Sequence, residues 1–100
     1  MFLLNKLDRP LLMGAALAAT GWHYRKKKGD QERGPCPFHG SSPRSVSMNV
    51  NRRIGKFFCH KCKKNGDAID WFRAFNNMDF VPAIRELHRL AGISIPEGED

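Results

Sequence analysis

Three cysteines and one histidine fall into two pairs of matched spacing. Cys36-Pro37-Phe38-His39 forms the first and Cys59-His60-Lys61-Cys62 the second, with 19 residues between them. A two-residue gap lets both side chains of a tight knuckle reach one ion. Two such knuckles supply the four N/S ligands of a tetrahedral zinc site. A closed set of four leaves no coordination position for water or substrate, so the expected Zn2+ is single and structural, not hydrolytic. His60, lodged between two ligand cysteines, cannot easily turn toward the same ion and reads as a surface residue. His23 and His88 lack a partner at ligand spacing. His88 lies beside the apolar stripe of the last helical segment and is expected to be exposed.

Composition narrows the setting. One hundred residues suit one small domain with a thin core, of the kind a metal often supplements. Three cysteines cannot all pair as disulfides within one chain, and their pairing with each other and with histidine favours a reducing, cytoplasmic compartment. The formal charge is +7 and the pI about 9.8. Three thiolates and one dication would leave the charge near +6. So basic a surface favours a polyanion, nucleic acid before membrane or acidic protein. The apolar run Leu11–Ala19 behind Lys6 and Arg9 imitates a secretory signal but is too short to span a bilayer. With the cysteine pattern and dense Lys/Arg that follow, it reads as a buried helix, with no membrane partner expected.

The elements that must position the ligands follow from periodicity. Residues 1–20 read as an N-terminal apolar helical segment, with Pro10 near its start and Leu11, Ala15, Ala18 and Trp22 as a stripe packed on the rest. Trp22 and Tyr24 could alternatively stack on a ligand. Arg25-Lys26-Lys27-Lys28 ends at the turn signal Gly29-Asp30 and reads either as a solvated loop or as a ribbon contacting phosphates. The alternation Ser45–Val50, the turn Asn51–Gly55 and the return Lys56–Cys59 predict a hairpin joining the knuckles. Asp67 can cap a helix with Asp70 in its first turn, whose face is Ala68, Phe72 and Phe75, widened by Ile69 and Trp71. Asp79 can cap a second, with Phe80, Ile84, Leu87 and Ala91 as its core stripe. Residues 96–100 form an acidic tail.

These motifs together carry a family resemblance. Gly-Pro-Cys-Pro-Phe-His-Gly at 34–40, Cys-x-x-Cys at 59–62 and Asn-Gly-Asp-Ala-Ile-Asp at 65–70 resemble the CHC2-type zinc-binding domain of bacterial and phage DNA primases, over roughly residues 21–95. The resemblance implies an α+β zinc ribbon, a small antiparallel sheet with helices before and after it. It also implies a role in recognising single-stranded template for primer synthesis in DNA replication. In that family catalysis belongs to a separate Toprim domain with acidic metal ligands. Residues 1–100 contain no catalytic constellation of their own, so any primase activity would need a catalytic domain on another chain; such a domain and a replicative helicase are the further partners implied. The sequence departs from the family after the first knuckle, where Ser42-Pro43-Arg44-Ser45-Val46 lacks the usual aromatic. It departs again between the last two cysteines, where His60-Lys61 replaces the frequent Phe-Gly.

Single-strand binding needs cations that track phosphates and flat side chains that accept bases. The candidates are Arg44, Arg52, Arg53, Lys56, Lys61, Lys63 and Lys64, with Phe58 for stacking, since alternation puts one of Phe57 and Phe58 outward. A protein-interaction or regulatory zinc ribbon, using the same basic face on an acidic partner, is the competing reading.

Overall fold

The structure, a computed structural model, describes residues 2–98; Met1 and the last two residues of the acidic tail lie outside it. Five strands form one antiparallel meander in chain order: β1 (Lys26–Lys28), β2 (Gln31–Gly34), β3 (Met48–Asn51), β4 (Lys56–Cys59) and β5 (Asn65–Asp67). Helix α1 (Arg9–Ala19) precedes the sheet, and α2 (Ala68–Asn76) and α3 (Phe80–Ala91) follow it. The three helices pack on one another, and α2 also packs on β4 and β5. This is the expected α+β zinc ribbon. No helix among the described residues is long and apolar enough to cross a membrane.

Strand alternation divides the sheet into two unlike faces. Glu32, Gly34, Met48, Val50, Phe57 and Cys59 are buried, and the apolar ones among them join side chains of all three helices in one core. At its centre Trp71, fully buried, meets Trp22, Phe38 and Phe57 edge-on with ring centroids 5.0–5.8 Å apart. Its indole N–H donates to Thr20 Oγ1 at 3.0 Å, tying α2 to the end of α1. Trp22 is likewise a core residue, its N–H donating to the Pro35 carbonyl at 2.6 Å, whereas Tyr24 stays exposed.

Several expectations change. The buried face of α1 is Leu12, Met13, Ala16 and Leu17, with Leu11 and Ala18 exposed. In a run where nearly every position is apolar, period alone cannot choose the face, and the bulkier row wins. In α2, Phe75 occupies the last turn and is 44% exposed, beyond the core that Ile69, Trp71 and Phe72 enter. His88 is buried at 2% exposure, not exposed. Its Nδ1 lies 2.7 Å from the Ile84 carbonyl. A carbonyl only accepts, so Nδ1 carries the proton, and this bond offsets part of the cost of burying the ring. The Arg25–Lys28 segment is not a loop but largely edge strand β1, folded onto β2 through Gly29-Asp30. Three lysines along an edge strand discourage further strand pairing. Asn65–Asp67 also pairs with β4 as strand β5, an element that periodicity did not mark.

Gly34 allows this packing. A Cβ there would sit 2.8 Å from the Trp22 ring and 3.0 Å from the His23 carbonyl oxygen. Gly34→Ala is therefore expected to destabilise the zinc-loaded protein by about 1–3 kcal/mol, as overpacking does. A lowered denaturant midpoint with unchanged slope is the measurement that checks it.

Candidate metal centre and nucleic-acid interface

The two connections that interrupt the meander, between β2 and β3 and between β4 and β5, bring the ligand pairs together at one end of the sheet. The ligand atoms of Cys36, His39, Cys59 and Cys62 all lie within 4.8 Å of one another. Tetrahedral zinc with ordinary Zn–S and Zn–N bonds separates two sulfurs by about 3.8 Å, and a sulfur from a nitrogen by about 3.6 Å. Cys36 Sγ and Cys62 Sγ are 3.9 Å apart, and Cys59 Sγ and His39 Nε2 are 3.4 Å apart. The donor set therefore fits one zinc ion.

The knuckles prepare the sulfurs for metal. The Phe38 N–H donates to Cys36 Sγ and the Cys62 N–H to Cys59 Sγ, each at 3.4 Å. The second knuckle is closed by Lys63 N–H to the Cys59 carbonyl and Cys59 N–H to the Lys64 carbonyl, both 2.9 Å, with Lys63 in the left-handed region at φ 66°. Burial pushes the metal-free Cys36 thiol up to about 12, with the Phe38 N–H opposing it. Burial also acts on Cys59, but there the amides of Cys62 and Lys61 and the His39 ring outweigh it, bringing the thiol down to about 6. His60 is exposed and takes no part in the cluster.

The predicted contact residues separate into groups. Lys56 and Phe58 lie on the face of the sheet that no helix covers. Phe58 is half-buried, with the His60 ring edge-on at 5.0 Å and Lys63 Nζ 5.8 Å above it. Phe57 is the inward one of the pair, at 3% exposure. Lys61 and Lys63 project from the second knuckle and Arg44 from the loop after the first, all exposed. Lys64 Nζ sits 5.7 Å over the Phe38 ring. Arg52 and Arg53 are engaged within the chain. Arg52 pairs with Glu32, which is 2% exposed on the covered face, and Arg53 Nε donates to Asp30 at 2.9 Å.

Register exposes residues that sequence reasoning missed. Lys26, Arg33, Asn49, Phe58 and Asn65 stand opposite one another across all five strands, and Lys28, Gln31, Asn51, Lys56 and Asp67 form a second row beside them. Lys26 and Lys28 belong to the segment read as a solvated loop or a ribbon contacting phosphates, but only the pairing of β1 with β2 aligns them and Arg33 with Phe58.

A four-ligand metal centre at one end of an antiparallel meander, flanked by helices, defines a structural zinc ribbon. Comparison with known sequences specifies it further: residues 22–100 match the CHC2 zinc finger family, and the chain belongs to that family. It is 36% identical to a DNA primase of Lactococcus lactis subsp. lactis (strain IL1403) over 85 residues, which is 85% of this chain and 12% of that protein. It is 38% identical to a DNA primase of Helicobacter pylori (strain ATCC 700392 / 26695) over 92 residues, 90% of this chain and 16% of that protein. A Myxococcus xanthus DNA primase is 31% identical over 75 residues, 75% of this chain and 12% of its own length. The chain thus spans roughly an eighth to a sixth of the length of these relatives.

Two outcomes follow for the metal. Cys59→Ser should lose zinc and with it cooperative unfolding of the whole domain, because metal binding and folding are coupled in so small a core; metal content and circular dichroism check this together. Coordination also requires thiolates. Zinc must displace the proton that Cys36 holds at neutral pH, so zinc affinity should rise with pH and loading should release protons. Cys59, a thiolate above about 6, adds a second proton to be displaced below that, which steepens the loss on acidification. Chelator competition across this range, with calorimetry in buffers of different ionisation enthalpy, measures both effects.

Proposed function

We propose that this chain is a template-binding module that holds single-stranded DNA along the open face of its sheet in support of primer synthesis. The observation that carries the reading is the composition of that face. Four cations, Lys26, Lys28, Arg33 and Lys56, surround one outward aromatic, Phe58; four amide side chains, Gln31, Asn49, Asn51 and Asn65, complete the rows, whose one acid, Asp67, is taken up in capping α2. Cations suit phosphates, a phenyl ring accepts a stacked base, and amides bond base edges without demanding one sequence. Lys63 lies over the Phe58 ring, so a stacking base would displace its ammonium toward the phosphates. Lys61, Lys63, Lys64 and Arg44 extend the positive field around the metal.

That the relatives carry the name DNA primase supports the same reading. In it the zinc has no part in chemistry. Its ligands fix the knuckles, and the knuckles fix the edge of the sheet beside Phe58. Primer synthesis itself would come from a Toprim catalytic domain, with a replicative helicase as a further partner. Arg52 and Arg53, tied to Glu32 and Asp30, are less available for phosphates than Lys56, and would contribute mainly by holding the two hairpins together.

Replacing Lys26, Arg33 and Lys56 together by Ala should weaken single-strand binding and flatten log affinity against log salt by about 0.7 for each phosphate contact removed, while zinc content stays the same. Phe58→Ala should weaken binding by about 1–3 kcal/mol with little change in that slope. A salt titration by fluorescence anisotropy reads both. Unchanged affinity in the triple variant would reject this face, and preference for an acidic peptide over DNA would favour a protein-interaction module.

A further inference from the structure

Beyond the β5 edge, between that strand and α2, lies a polar groove of about 350 Å³ lined chiefly by Lys64, Asn65, Arg73, Asn77 and Met78. Asn65 belongs to it and also stands opposite Phe58 in the open-face row, so one residue joins the groove to that row. At the far side of the sheet, Gln31 likewise links a concavity over Lys56 and Phe58 to one over Lys26, Lys28 and Arg33. The three depressions lie in turn from the β1 edge to α2.

Arg73 is the informative residue. It is half-buried, and its Nε donates to the Met78 carbonyl at 3.3 Å. Arg9, Arg52, Arg53 and Arg89 each pair with a carboxylate; among the described residues Arg25, Arg33, Arg44, Arg73 and Arg85 have no salt-bridge partner, and of these five Arg73 alone is half-buried. The Asp70 carboxylate one turn back feels its charge, but among the described residues only its Nε has a hydrogen-bond partner, which leaves the terminal guanidinium nitrogens for an anionic ligand. Asp70, the one acid on the groove, is committed to the start of α2: it accepts the Asp67 N–H at 3.0 Å. Lys64, held over the Phe38 ring, brings a second cation to the groove.

We infer that this groove is a second phosphate site, at which Arg73 and Lys64 hold the sugar–phosphate backbone of a strand that has left the sheet across β5. The inference rests on the single-strand reading above and extends it off the sheet. Five strands about 4.8 Å apart span about 19 Å, room for a strand of about four nucleotides, so only a longer one reaches Arg73.

The test uses zinc-loaded full chain and labelled oligothymidines of about 4 and about 12 nucleotides, a range within known single-strand site sizes. Arg73→Gln should bind the short strand as the wild type does. It should bind the long one about three- to tenfold more weakly, with a shallower salt dependence, and Arg73→Lys should restore most of the loss. If Arg73→Gln weakens both lengths equally and also lowers the denaturation midpoint, Arg73 is a structural tie to Met78 and the inference is overturned. It is equally overturned if the long strand binds Arg73→Gln unchanged. An Arg73-dependent affinity for free nucleoside triphosphate, without an effect on the long strand, would assign the groove to a mononucleotide instead. Wild-type protein that binds neither length rejects the single-strand reading itself, an outcome distinct from the others.

Discussion

Everything in this fold hangs on four donor atoms being held within 4.8 Å of one another. The ligand pairs sit in the two connections on either side of the β3–β4 hairpin, so one ion closes that hairpin at its open end. Cys59 is the last residue of β4 and stands opposite Met48. A slip of one residue would turn Cys59 to the open face and bring Phe58 inward, so the metal and the hydrophobic pattern enforce the same register. Phe38, between the first two ligands, lies against both Phe57 and Trp71. The first knuckle is thereby anchored in the core as well as on the metal, and the two supports reinforce each other in a domain too small to rely on burial alone.

The sheet keeps its charges on one side. The covered face carries a single acid, Glu32, paired with Arg52; one of its carboxylate oxygens has no partner among the described residues. A buried pair of this kind adds little net stability, but removing either member would strand the other. Its value here is geometric. It fixes the β3–β4 turn to β2, and the Arg53–Asp30 pair fixes the same turn to the β1–β2 connection. The two acids of the first hairpin are thus neutralised by the two turn arginines, and Asp67, which stands opposite Lys56, has its carboxylate committed to capping α2.

What the sequence made legible was whatever local chemistry determines. Ligand spacing identified the metal set, and the helices after the second knuckle were visible from Asp67, Asp79 and the stripe through Ile84 and Leu87. The turn Asn51–Gly55 and return strand Lys56–Cys59 were equally plain. Less legible were features set by neighbours distant in sequence. Lys26–Lys28 has no apolar alternation, because both of its faces are exposed, and becomes a strand only through pairing with β2. The inward face of α1 was hidden by uniform apolarity. Glu32 gave no sign that it would be buried, since its partner lies twenty residues away, and His88 hid its burial because the bond that permits it goes to its own helix's backbone.

The Asn65–Asp70 stretch, which carried much of the resemblance, acquires a physical meaning at the junction of sheet and helix. Asn65 ends the open-face row beside Phe58. Gly66, at φ 149°, has no room for a side chain, since a Cβ would lie 2.4 Å from the Asp70 carboxylate. That carboxylate accepts the Asp67 N–H while Asp67 accepts the Asp70 N–H, each at 3.0 Å, a reciprocal cap that starts α2 at the point where β5 ends. Ala68 and Ile69 then enter the core directly. With no flexible linker between strand and helix, the angle of α2 to the sheet is set by this joint, and so is the position of Arg73 relative to Phe58. The reciprocal cap that starts α2 where β5 ends therefore also fixes where the groove lies beside the sheet.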